Sequence, residues 1–212
     1  MARLILFLLT AFLQLGAQNF AGAAGGISTL SADGATTGSP PAAFSLYKPD
    51  NGAAAAIFAG RHFSDWLSAQ AGYGWNRNSV VMSAGSAAAA YDFPARAGMH
   101  TVVAELMVYF RRRNERLRPY LSVGTGFTHL RAASSGAPSI AGAIALPPPE
   151  FSATGACLRV AVGMDVLVRG GFALRYTFAE TIQKNAISAR LTPPGSRNLA
   201  NFQNLWGAMW RF

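Results

Sequence analysis

Glu105, Arg159, Asp165, Arg175 and Arg211 are the ionisable residues whose spacing could place them together in one interior. Each falls on the small or polar phase of a segment that otherwise alternates with apolar residues. Charges taken out of water are tolerated only when paired, so the chemistry these residues suggest is ion pairing. Catalysis has less to draw on. There are three histidines, His62, His100 and His129, and one cysteine, Cys157. A lone Cys excludes an intramolecular disulfide framework and any Cys-cluster metal site. The chain has no His-x-x-x-His, no Gly-rich phosphate loop heading a helix and no nucleophile elbow. A Ser–His–acid site would have to come from His129, Ser134 and Glu150 or Glu180. The expectation is therefore no catalytic residue, no metal site and no cofactor, with Cys157 inert.

The elements that must carry these residues show a period of two. Leu158, Val160, Val162, Met164, Val166 and Val168 alternate with Cys157, Arg159, Ala161, Gly163, Asp165 and Leu167. Alternation that long is a strand and not a helix. The pattern recurs over Trp66–Trp75, His100–Arg111, Leu117–Arg131, Phe172–Phe178 and Gln203–Phe212. Phe44–Tyr47 and the Ala-rich Gly52–Arg61 are weaker candidates, the phase of the second being open. By this parity Arg61 is a further candidate for the interior.

Charged residues make up 13% of the 212 and hydrophobic ones 51%, which excludes a disordered chain. Eight alternating segments with an apolar face opposite a face of Gly, Ala and lone charges suit a narrow, filled lumen. Aromatic residues collect near strand ends, as in transmembrane barrels. The turns at His62–Asp65, Arg112–Arg116 and Arg169–Gly171 are short. The connections Asn76–Met99, Ala132–Glu150 and Ile182–Phe202 are long. Lys48–Asn51 reads as a short first outer loop. The expected fold class is all-β: an eight-stranded antiparallel up-and-down transmembrane β-barrel with short periplasmic turns and long extracellular loops.

Met1–Arg3, the apolar Leu4–Leu13 and the small residues Ala21–Ala24 have the order of a secretory signal peptide. The expected domains are a signal peptide over residues 1–23, a flexible arm over 24–41 and the barrel over 42–212. The formal net charge of +9 suggests an anionic neighbour such as lipid phosphate. The cluster Arg111–Arg118 reads as interfacial anchoring at a periplasmic turn, which leaves no place for nucleic acid. Lys184, Arg190 and Arg197 in the fourth outer loop are candidates for lipopolysaccharide phosphates.

The ending Trp206-Gly207-Ala208-Met209-Trp210-Arg211-Phe212 resembles the C-terminal assembly signal of the small eight-stranded outer-membrane β-barrels of the OmpA-transmembrane-domain and OmpX kind. Trp66-Leu67, the strand ending Tyr109–Arg113, Arg118-Pro119-Tyr120 and Gly163–Val166 add to that resemblance, which covers roughly three quarters of the chain. It implies recognition of Trp206, Trp210 and Phe212 by the barrel-assembly machinery. It also implies a monomer in the bacterial outer membrane with both termini periplasmic. Outer-membrane lipids and lipopolysaccharide are the implied surroundings. Related barrels that modify lipid A carry His and Ser two residues apart, a spacing absent at His129-Leu130-Arg131.

The functional expectation is a non-enzymatic structural or surface-contact barrel whose lumen is plugged by ion pairs. A small pore stands second and a lipid-A-modifying enzyme third. One register follows from parity. A three-residue loop closing Val168 against Phe172 sets Asp165 opposite Arg175, with Glu105 in reach of Arg159 or Arg175.

Overall fold

The computed structural model describes residues 18–39 and 42–212. Among them are eleven strands: β1 Asn19–Leu30, β2 Asp33–Thr36, β3 Ala43–Pro49, β4 Gly52–His62, β5 Leu67–Ser86, β6 Ala90–Tyr109, β7 Leu117–Ser134, β8 Ser139–Ala141, β9 Glu150–Arg169, β10 Phe172–Lys184 and β11 Asn198–Arg211. Eight of them close a ring in the order β1-β4-β5-β6-β7-β9-β10-β11, with β11 returning to β1 and every pairing antiparallel. Closure gives each spanning backbone group a partner, which is what a lipid environment demands.

The wall has two phases. Val102, Leu106, Val108, Leu121, Val123, Phe127, Leu158, Val160, Val162 and Trp206 lie on the outside, Phe127 66% and Trp206 68% exposed. The opposite phase is buried: Ser68, Thr101, Glu105, Ser122, Asp165, Arg175 and Gln203. Moving one Val, Leu or Phe side chain out of water is worth about 1.5–3 kcal/mol. An outer band of this composition is therefore satisfied by lipid and not by water.

Two expectations are corrected. Ala24–Leu30 is not part of a flexible arm: β1 pairs on one side with β11, from Phe20↔Arg211 to Leu30↔Asn201, and on the other with β4, from Asn19↔Arg61 to Ser28↔Gly52. A signal boundary after Ala23 would cut this strand in the middle. Residues 1–17 of the signal-peptide reading lie outside the described residues. The segment 19–30 was hard to read because its inner residues Gly22, Ala24 and Gly26 and its outer residues Ala21, Ala23 and Gly25 are equally small. Phe44–Tyr47 is correspondingly not a wall strand. It lies in β3, which forms a hairpin with β2 and borders the far half of β5, from Ala43↔Ser86 to Pro49↔Val80.

The connection expected over Asn76–Met99 is also shorter than read. β5 and β6 stay paired from Leu67↔Val108 out to Gly85↔Ala90. At about 3.3 Å per residue, twenty residues span roughly 65 Å, about twice a hydrocarbon core. The hairpin therefore projects beyond the membrane at the end opposite the termini, hereafter the loop end. There Leu30, Tyr47, Met82, Phe93, Leu130, Phe151, Ile187 and Leu199 pack into a buried apolar cluster that closes the barrel mouth.

Candidate functional site

The plug sits toward the end that carries the chain termini. Its centre is Arg175 on β10, 3% exposed, opposite Asp165 on β9, 2% exposed. Arg175 Nε donates to Asp165 Oδ1 at 2.6 Å and Nη2 donates to Oδ2 at 2.8 Å. This is the bidentate fork that matches guanidinium to carboxylate. The turn that sets the register differs in detail from the three-residue loop. Gly170 and Gly171 have φ of +57° and +86°, so they form a two-residue turn of the mirror-image kind. Phe172 then pairs with Arg169, and a register shift follows before Ala173↔Leu167. The irregularity absorbs one residue, Val168, and restores the parity that sets Asp165 against Arg175.

Tyr109 completes the centre. Its hydroxyl donates to Asp165 Oδ2 at 2.8 Å and accepts from Arg175 Nη2 at 2.9 Å. The Arg175 guanidinium also lies 4.7 Å from the Phe58 ring centre and 5.1 Å from that of Tyr120. Space for the aromatics comes from missing side chains. A Cβ on Gly163 would fall 2.4 Å from the Tyr120 ring, and one on Gly60 2.4 Å from Phe20.

A second ion pair lies beside the first. Arg159 Nε is 3.5 Å from Glu105 Oε1. Arg159 Nη1 donates to Gln203 Oε1 at 2.8 Å and to Thr181 Oγ1 at 3.1 Å. Ser122 donates to Glu105 Oε1 at 3.0 Å. Gln70 bridges the two pairs, donating from Nε2 to Glu105 Oε2 at 2.7 Å and accepting from Arg175 Nη1 at 3.0 Å. Glu105, Arg159, Asp165 and Arg175 thus form one connected polar network across the lumen. The space beside it amounts to about 40 Å³, enough for a few waters at most.

Arg211 is the exception among the five. It faces inward, but Nη1 donates at 3.0 Å to the main-chain oxygen of Arg113. Arg211 thus braces a turn, and among the described residues it is in no ion pair. Arg61 is on the outer phase, paired in register with Ala69. Arg118, read as part of a basic turn, is an inner residue and 1% exposed. It donates to the Asp65 carbonyl at 3.1 Å and lies 3.8 Å over the Tyr109 ring. The even phase it shares with Tyr120 and Ser122 was the available signal. Buried His62, whose Nδ1 lies 2.5 Å from Ser68 Oγ, was not singled out either.

The remaining candidates are dispersed. His129 Nδ1 bonds Thr154 Oγ1 at 2.8 Å, Ser134 donates to the Gly136 carbonyl and Glu150 is paired with Arg131. No Ser–His–acid arrangement forms from them. Cys157 is buried and faces the lumen. Lys184, Arg190 and Arg197 are all exposed in the fourth connection, Arg190 at 5.7 Å from the Phe151 ring centre. Trp206 and Trp210 face outward on β11. Phe212 exchanges two main-chain hydrogen bonds with Asn19, at 2.8 and 2.9 Å.

A closed eight-stranded ring, apolar outside and polar within, defines a small transmembrane β-barrel of the outer-membrane class. The chain belongs to the outer membrane protein beta-barrel domain family, whose model matches residues 5–212. Its fold is similar to that of Neisserial surface protein A, with a TM-score of 0.54 at 14% identity over 93% of this chain and all of the other. Outer membrane protein OprG from Pseudomonas aeruginosa gives a TM-score of 0.54 at 12% identity, covering 92% and 96%. The attachment invasion locus protein of Yersinia pestis, solved with the heparin analogue sucrose octasulfate, gives 0.52 at 12% identity, covering 93% and 100%. No curated protein matches the sequence. The chain is thus an outer-membrane β-barrel protein.

Proposed function

We propose that this barrel is a non-enzymatic, non-conducting monomer with a structural or surface-contact role, its termini and short turns in the periplasm and its loop end outside the cell. The observation that carries the reading is the plug. Arg175, Asp165 and Tyr109 fill the lumen with every polar partner engaged, and a buried apolar cluster stands over them at the loop end. A charged network at this depth resists ion passage, since freeing either member of the pair leaves an unpaired buried charge. Lys184 and Arg190 line a recess of about 350 Å³ in the outer rim. With Arg197 they present cations to lipopolysaccharide phosphates. Trp206, Trp210 and Phe212 are offered to the barrel-assembly machinery.

Planar-bilayer recording on the purified, folded protein tests the reading. The expected result is no steady conductance. Robust single-channel steps from wild-type protein would overturn it in favour of a small pore.

A further inference from the structure

We propose that the outward surface of β5, β6 and β7 at the loop end binds a diphosphorylated glycolipid of the outer leaflet, with Arg77, Arg96 and Arg131 taking its phosphates. The proposal rests on the orientation given above. It does not depend on the plugged lumen or on the fourth connection.

Register brings these residues together. Arg77 and Arg131 both pair with Gly98, one from each side of β6. Neighbouring strands lie about 4.8 Å apart, so the two arginine backbones are roughly 10 Å apart with a glycine between them. A Cβ on Gly98 would meet nothing closer than the Arg131 carbonyl at 4.0 Å, so the gap is open. Arg96 stands two residues further out on the same face of β6, paired with Ser79 and Ala133. All three arginines are exposed.

Depth fits the same ligand. One step toward the membrane, His100 pairs with Trp75 on β5 and His129 on β7, and the Tyr73 hydroxyl bonds His100 Nδ1 at 2.6 Å. One step further, Val102 and Phe127 begin the apolar band. The arginines therefore stand one layer outside the aromatic and His belt, at the height of lipid phosphates. Acyl chains would lie along Val102 and Phe127 below them.

Charge picks out this side of the barrel. Two acids stand near the three arginines: Glu150, 2.5 Å from Arg131, which fixes the guanidinium, and exposed Asp50, whose main-chain N–H donates to Ser79, the register partner of Arg96; the cluster remains net positive. On the opposite wall, the outer phase of β10 carries Glu180 and Lys184, whose charges cancel. The outer phases of β1 and β11 at that height carry Thr29, Ala200 and Asn198. A general interfacial girdle would be even around the ring. Guanidinium forks match phosphate oxygens two at a time, and cations on both sides of an open glycine suit two phosphates held apart on one sugar headgroup.

Purified protein in zwitterionic micelles is titrated with bisphosphoryl lipid A, monophosphoryl lipid A and inorganic phosphate. Bisphosphoryl lipid A should bind, the monophosphoryl form more weakly, and millimolar phosphate should not displace either. Arg77→Gln, Arg96→Gln and Arg131→Gln should each weaken lipid A binding about fivefold, and the triple variant about a hundredfold. A Lys184→Gln, Arg190→Gln, Arg197→Gln variant should weaken lipid A binding far less than the triple variant does. Faster gel migration before boiling verifies that each variant is folded. Wild-type affinity in the triple variant, displacement by free phosphate, or loss confined to the fourth-connection variant would each overturn the proposal. An epitope inserted after Gly142 should be labelled on intact cells. If it is hidden while lipid A still binds in micelles, the orientation fails and the arginine site survives only as a lipid-phosphate site of the other leaflet.

Discussion

Replacing Asp165 by Ala removes both acceptors of the Arg175 fork, at 2.6 and 2.8 Å. What stays near Arg175 is the Tyr109 hydroxyl at 2.9 Å, Gln70 Oε1 at 3.0 Å and the faces of Phe58 and Tyr120. Leaving one partner of a buried ion pair typically costs about 3–5 kcal/mol. The surviving dipoles and rings place the expected loss near the lower end, about 3 kcal/mol. With a urea slope of about 1–3 kcal/mol/M, the midpoint should fall by roughly 1–3 M. The assay is urea unfolding of the barrel in lipid vesicles, followed by the fluorescence of its four tryptophans and by the gel shift. The Arg175→Met variant should lose a similar amount. The double variant should recover most of it, because the isolated charge is gone and the replacements are apolar. A single-variant loss below about 1 kcal/mol, or a double variant as unstable as the singles added together, would refute the ion-pair reasoning.

Gly163→Ala should destabilise the barrel by about 1–3 kcal/mol, since the new Cβ would meet both the Tyr120 ring and the Tyr176 carbonyl, at 2.4 and 2.5 Å; Tyr120→Ala in the same background should return part of the loss in urea unfolding. N-terminal sequencing of the mature protein should find a start before Asn19, because a chain starting at Ala24 would lack the first five of the twelve residues of β1, and a mature start at Ala24 in a heat-modifiable barrel would contradict the strand assignment. Deleting Phe212 removes two main-chain hydrogen bonds to Asn19, worth about 1–3 kcal/mol together, and should depress assembly in cells far more than stability in vesicles. Burial raises the Tyr47 hydroxyl above its ordinary value of 10. The folded state therefore holds its proton more tightly than the unfolded chain. The stability it contributes is complete below about pH 10 and is lost as pH rises toward the folded value, a decline that Tyr47→Phe should lessen in alkaline unfolding series.

Period-two alternation was enough to determine an outward apolar face, an inward polar one and seven of the eight wall strands, because side chains on a strand take opposite sides residue by residue; the total of eight was reached only because Phe44–Tyr47, which lies outside the wall, stood in for β1. Parity alone also brought Asp165 and Arg175 to one level. That inference held even though the turn is tighter than a three-residue loop, since the irregularity at Phe172 preserves parity. The sequence did not disclose β1, because six consecutive residues of similar small size, Ala21 to Gly26, carry no contrast between faces. It did not disclose the outward continuation of β5 and β6, whose inner residues Val80, Met82, Phe93 and Ala95 show their purpose only against Tyr47, Leu130 and Leu199 from distant strands. Arg118 alternated correctly but stood in a run of arginines, and only closure of the ring lays it over Tyr109. The bridge from Gln70 to Glu105 and Arg175, and the grouping of Arg77, Arg96 and Arg131 around Gly98, depend on which strands become neighbours and in what register. Local periodicity assigns a residue to a face; the closure of the barrel assigns it its partners.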